Sequence, residues 1–166
     1  MSLHTLKVSQ KLPVSLDKAW DFLSSPENLK KITPEDMGFN ITTEFKGEKM
    51  YPGMIIGYRV KILFGIRTKW ISEITHFQEP AYFVDEQRFG PYKFWHHKHF
   101  LKMINGGVEM TDIVHYEMPF WFAGELINSL FVRKKLKNIF DYRYKKLEDI
   151  FGIYKEPVSI TQKTSK

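Results

Sequence analysis

Turn signals recur about every ten residues between Phe39 and Met118, and they restrict this chain more than any other feature. They are Lys46-Gly47, Tyr51-Pro52-Gly53, Phe64-Gly65, Glu79-Pro80, Phe89-Gly90-Pro91 and Asn105-Gly106. The segments between them are rich in β-branched and aromatic residues, which makes an antiparallel meander the natural reading. The pattern predicts strands near 39–45, 54–63, 66–77, 81–88, 93–104 and 107–118, and one more over Leu3 to Leu12, closed by Pro13.

Asn105-Gly106 is the most informative of these turns, because it is the preferred pair for a two-residue type I′ hairpin. That turn sets Ile104 opposite Gly107, Lys102 opposite Glu109, Leu101 opposite Met110, His99 opposite Asp112, His97 opposite Val114 and Trp95 opposite Tyr116. Alternation then separates two faces. One carries Trp95, His97, His99, Leu101, Met103, Val108, Met110, Asp112, Val114 and Tyr116, and it is mostly apolar and predicted to face inward. The other carries Lys98 and a cross-strand Lys102–Glu109 pair, which suit water.

Helical periodicity brackets this sheet. Ser15 is a candidate N-cap for a short helix whose Leu16, Ala19, Trp20 and Leu23 share a face. Ser25-Pro26 opens a second short helix, stopped at Thr33-Pro34. From about Gly124 to Phe151, an apolar stripe through Leu126, Leu130, Leu136, Ile139, Phe140, Leu147 and Ile150 predicts a helix about 40 Å long. An antiparallel sheet cannot hide both faces alone, so this helix is expected to cover the concave one. The fold class is α+β: a curved antiparallel sheet of about seven strands, in the order β-α-α-β6-α, wrapped on a long C-terminal helix.

A chain of 166 residues with 43% hydrophobic content builds one sizeable core, expected over 1–152, and the polar stretch 153–166 reads as a disordered tail. Cysteine is absent, which excludes disulfides, thiolate metal sites and thiol nucleophiles. No secretory signal or membrane-spanning run appears, so a cytoplasmic protein without integral membrane association is expected. The net charge of +6 concentrates in Arg133, Lys134, Lys135, Lys137, Arg143, Lys145 and Lys146. No nucleic-acid-binding signature accompanies them, so they read as the solvated face of the last helix and nucleic acid is not an expected partner.

The chemistry concentrates on the inward hairpin face. Buried polar groups cost about 1–3 kcal/mol each without partners, and this face holds His97, His99 and Asp112 among Trp95, Leu101, Met110 and Tyr116. His99 opposite Asp112 supplies one partnership, in which the carboxylate favours imidazolium or fixes the tautomer of a neutral ring. His97 has no evident mate. Two histidines on one strand face beside an aspartate also match a spacing used by some zinc sites, but the signal is weak and no metal is expected. Strand 82–88 admits two orientations, with either Asp85 and Gln87 or Glu86 and Arg88 inward. Phe39, Tyr58, Trp70, Phe77, Phe83 and Phe140 are available to line a cavity or to serve as ordinary core.

Several motifs together resemble the START-like, or SRPBCC, superfamily of helix-grip proteins. They are Val14-Ser-Leu-Asp-Lys-Ala-Trp-Asp-Phe-Leu-Ser-Ser-Pro-Glu-Asn-Leu29, Phe83-Val-Asp-Glu-Gln87, Gly90-Pro-Tyr-Lys-Phe-Trp-His-His-Lys-His-Phe100 and Gly106-Gly-Val-Glu-Met-Thr-Asp-Ile-Val-His-Tyr-Glu-Met-Pro119. The last two resemble a bacterial ligand-binding branch related to polyketide cyclases and to a domain found fused to epimerase-like cell-division inhibitors. The resemblance implies a cavity between the sheet and the last helix, and no cofactor. It implies binding or carriage of a small hydrophobic or aromatic molecule, with Trp95, His97, His99, Asp112 and Tyr116 matching its motif positions; Trp70 and Gln87, from the reading of the strands, complete the candidate ligand-binding residues. The alternative is a cyclase-like or dehydratase-like enzyme using His99 and Asp112 as a general-base pair. Ligand identity, catalytic residues and oligomeric state stay open at this point.

Overall fold

A computed structural model of the chain describes residues 3–45, 47–61, 65–119 and 131–156. Among the described residues seven strands form one antiparallel sheet in the order β1-β7-β6-β5-β4-β3-β2. They are β1 (His4–Leu12), β2 (Asn40–Ile41), β3 (Ile55–Lys61), β4 (Arg67–Gln78), β5 (Tyr82–Phe89), β6 (Phe94–Ile104) and β7 (Gly107–Glu117). Chain order and spatial order agree from β2 to β7, as short turns dictate, while β1 crosses to pair with β7. The expected strand over 39–45 shrinks to two residues, and the short helices intervene between it and β1.

The Asn105-Gly106 turn behaves as its composition requires, with Gly106 at φ 75°. All six of the expected β6–β7 pairs are present, including His99 opposite Asp112 and Trp95 opposite Tyr116. Alternation along β7 buries Val108, Met110, Asp112, Val114 and Tyr116. Met103 departs from its predicted face environment: it is 71% exposed while Val108 opposite it is buried, because β5 pairs with β6 only as far as Tyr82 opposite Phe100 and leaves Met103 without a strand neighbour on that side. Gly107 is held for a different reason, since a Cβ there would lie 2.1 Å from the Leu12 carbonyl oxygen of β1. Two register shifts between β4 and β5, at Ile71/Ser72 and Ile74/His76, accompany the sheet's curvature.

Helix α1 (Leu16–Leu23) starts at Ser15, whose hydroxyl accepts from the Lys18 backbone N–H. It inserts Trp20 edge-on against Phe77 and Phe83 of the sheet. The predicted second helix is a 3₁₀ segment (Pro26–Ile32) and Ser25 does not cap it; another 3₁₀ turn follows over Glu35–Met37. The C-terminal helix α2 is described over Arg133–Phe151 and is about 28 Å long there; the predicted turns from Gly124 to Leu130 lie outside the described residues. It buries Leu136, Phe140, Arg143 and Leu147. After α2, the Tyr154 hydroxyl donates to the Asn105 carbonyl oxygen, and Lys11 pairs with Glu156. Residues 157–166 of the predicted tail lie outside the described residues. Among the described residues no helix is long and apolar enough to cross a membrane.

Candidate functional site

A cavity of about 140 Å³ lies between the concave sheet face, the 3₁₀ segment and α2. Its wall is largely apolar, with Leu29, Ile32, Met50, Ile56, Val60 and Ile74 among the lining residues. Phe39, Tyr58, Trp70, Phe83 and Phe140 also line it, whereas Phe77 packs on Trp20 as core. Polar groups gather in part of this wall: Asp85, His97, His99, Arg143, Tyr58 and Ser72.

Strand β5 takes one of the two orientations that its sequence allows. It pairs Phe83 with His99 and Asp85 with His97, which puts Asp85 on the inward face. Glu86 and Arg88 therefore point outward, where Arg88 bonds Glu73 at 2.6 Å. Asp85 Oδ1 lies 2.9 Å from His99 Nε2 and 3.4 Å from His97 Nδ1, and Trp95 Nε1 donates to its Oδ2 at 3.4 Å.

Asp112 closes the cluster from behind. Its Oδ1 lies 2.9 Å from His97 Nε2, 2.8 Å from His99 Nδ1 and 3.5 Å from Arg143 Nη1. His97 thus has two carboxylate neighbours. The mate invisible in the hairpin register is the diagonal one, since His97 is directly opposite Val114. Asp112 faces a second cavity of about 200 Å³, bordered also by Gln10, Arg143 and Tyr144. Asp112 Oδ2 and Arg143 Nε have no hydrogen-bond partner among the described residues.

The charges sort themselves by contact. Burial alone would raise the Asp112 carboxyl, but hydrogen bonds from His97 and His99 outweigh it and hold Asp112 well below the usual carboxylate range. Asp85 is lowered in the same way, against burial, chiefly by His99. Burial pulls on His99 too, yet its bonds to Asp112 and Asp85 raise it above the ordinary imidazole value. For His97, burial and the neighbouring His99 prevail and lower it. Two carboxylates therefore face the two imidazoles and one guanidinium, Arg143, and of the two rings His99 is the one whose charged form the carboxylates favour. Tyr58 is kept protonated by burial and by the nearby Asp85 charge.

The candidate residues named from sequence divide by position. Trp70, Trp95, His97 and His99 line the main cavity. Trp70 stacks on Tyr58 and donates to Ser72 Oγ at 3.0 Å. Asp112 lies behind the histidines, and Tyr116 packs beneath Tyr92 and Trp95. Gln87 shares the face of Asp85 but is not among the residues that line the cavity. Its amide donates to the Tyr92 carbonyl oxygen at 2.6 Å and accepts from the Tyr92 N–H at 3.2 Å, so it pins the β5–β6 connection. Gly90 makes room for this, since a Cβ there would lie 2.3 Å from Gln87 Oε1.

Arg143 is the residue that sequence reasoning assigns to solvent and the structure buries, with its side chain 10% exposed and its guanidinium 5.1 Å from the Phe140 ring. Its spacing carries the signal: Leu136, Phe140, Arg143 and Leu147 follow steps of four, three and four along one helical stripe. A cation in such a stripe calls for a buried anion.

No protein-family model matches the chain, and no curated protein matches it. Solved structures do. TTHA0849 from Thermus thermophilus superposes with a TM-score of 0.68 at 16% identity, covering 88% of this chain and 95% of that one. A START superfamily protein from Mycobacterium smegmatis gives 0.66 at 13% identity, covering 89% and 99%. Ara h 8.0201 gives 0.60 at 16% identity, covering 90% and 98%. Seven curved antiparallel strands closed over a C-terminal helix, matched by these structures across nearly their whole length, identify the fold of this chain as the START-like helix grip.

Proposed function

We propose that the protein binds and carries one small, mainly apolar molecule that bears a polar group. The observation that carries this reading is the cavity itself, apolar over most of its wall and polar where Asp85, His97 and His99 meet it. Its volume of about 140 Å³ is close to that of an engineered apolar cavity in another protein that takes up benzene. A molecule of one or two rings suits it. Burying about 150–250 Å² of aromatic surface contributes about 4–6 kcal/mol, which before the cost of immobilising the molecule corresponds at most to millimolar to tens-of-micromolar binding. The polar group must supply the rest, and it has donors and acceptors of both charge signs to meet.

The enzyme alternative assigns His99 as general base. Both of its nitrogens face carboxylates, at 2.9 and 2.8 Å, which leaves no lone pair for a substrate proton and favours carriage over catalysis. Native mass spectrometry of gently purified protein checks the proposal. A single adduct of one- or two-ring mass is expected, released by mild heating or organic solvent. Protein that emerges free of adduct from every source, and takes up no ring-sized apolar probe, would remove the carrier reading.

A further inference from the structure

The three polar groups at the cavity wall have the layout of a metal-binding triad. Asp85, His97 and His99 each offer one ligand atom, and these atoms all lie within 4.8 Å of one another. Asp85 Oδ1 already sits 2.9 Å from His99 Nε2 and 3.4 Å from His97 Nδ1. Donors about 2.0–2.1 Å from a tetrahedral ion stand roughly 3.3 Å apart; the Asp85–His97 pair already matches this, the Asp85–His99 pair has to spread slightly, and the two imidazole nitrogens, within 4.8 Å of each other, have to settle to that spacing as the ion enters.

The second observation concerns the far side of the rings. Metal-bound histidines usually give their other nitrogen to a carboxylate, which fixes tautomer and ring direction. Here one carboxylate serves both rings, with Asp112 Oδ1 at 2.9 Å from His97 Nε2 and 2.8 Å from His99 Nδ1. The nitrogens left over, His97 Nδ1 and His99 Nε2, turn toward the same Asp85 oxygen. Arg143 stands 3.5 Å behind Asp112 and offsets its charge.

We propose that Asp85, His97 and His99 bind one divalent transition-metal ion of the zinc or ferrous class, with Asp112 as the outer carboxylate that orients both imidazoles. Two nitrogens and one carboxylate oxygen suit such ions, and the chain has no thiolate to offer. The proton held between His99 and Asp85 leaves to solvent as the ion enters. All three ligands border the cavity, so the remaining coordination positions open toward its contents. The polar group of a carried molecule then has a metal to bind. This inference shares the cavity with the carrier reading but does not need an organic ligand, and it is tested with metal alone.

Full-length protein stripped with a chelator is titrated with Zn²⁺ by calorimetry and with Co²⁺ by visible absorption. One ion per chain is expected, at micromolar affinity or tighter, with the Co²⁺ bands of a low-coordinate site. Asp85→Asn and His97→Gln should each weaken binding at least tenfold, and Asp112→Asn about 10–100-fold. His96→Ala should leave it unchanged, because His96 lies on the other face opposite His115. Should the variants fail to fold, wild-type protein still decides: Co²⁺ should shift the ring signals of His97 and His99. Absence of stoichiometric binding, or shifts on His96 and His115 instead, would overturn the site. If Zn²⁺ does not bind while 2-naphthol still enters the cavity, the metal site falls and the carrier reading stands.

Discussion

Replacing Asp112 by alanine is expected to destabilise the protein by about 3–5 kcal/mol, a large share of the roughly 5–15 kcal/mol that holds a domain together. Asp112 is fully buried, and a single oxygen faces His97, His99 and Arg143. Removing it leaves a buried guanidinium and two buried imidazoles without the carboxylate they share. Breaking such a network from one side costs more than deleting it, because the surviving charges keep their desolvation penalty. Adding Arg143→Met to Asp112→Ala should therefore recover part of the loss, a coupling that a double-mutant cycle measures. Urea denaturation gives the values. If the single variant loses less than about 1 kcal/mol, or the double variant loses the sum of the two singles, the buried network is not what stabilises this site.

Leu147→Asp should abolish cooperative unfolding. Leu147 is fully buried in α2, on the same stripe as Leu136 and Phe140. The change removes apolar burial worth about 2–5 kcal/mol, judged from leucine-to-alanine losses, and puts a carboxylate into a fully buried apolar position, a cost that Arg143 one turn earlier, already paired with Asp112, offsets only in part. The two costs together approach the whole stability of a domain of this size. Leu147→Ala provides the graded control and should keep a sharp but lowered transition. Near-UV circular dichroism during heating reports both. A wild-type melting curve for Leu147→Asp would mean that α2 does not cover the core as described.

The parts of this fold that are legible in sequence are those with short-range rules. Asn105-Gly106 specifies a turn, the turn specifies pairing, and pairing puts His97, His99 and Asp112 on one face. Asp85 cannot be placed in the same way. The connection from Phe89 to Phe94 is longer than a two-residue turn, and β4 and β5 shift register twice, so counting residues loses the face. Gln87, expected to face a ligand, is engaged instead by the Tyr92 backbone, whose N–H and C=O would otherwise lack a partner in that connection. Arg143 reads as solvated because long cations rarely bury. Its helical step from Phe140 and to Leu147 places it inward, and the burial of Asp112 explains why it is tolerated there.

Whether the cavity takes up a small apolar molecule with a polar group is tested most directly by a titration with 2-naphthol followed by NMR. Trp70 and Trp95 line the cavity, and their indole N–H groups donate to Ser72 and Asp85. One molecule per chain should bind in the micromolar range and shift both indole signals. Val60→Trp, which puts an indole into the cavity from β3, should weaken binding at least tenfold while leaving the Trp20 signal near its wild-type position. Indole signals that stay in place up to saturating probe, or binding that Val60→Trp leaves unchanged, would contradict the claim.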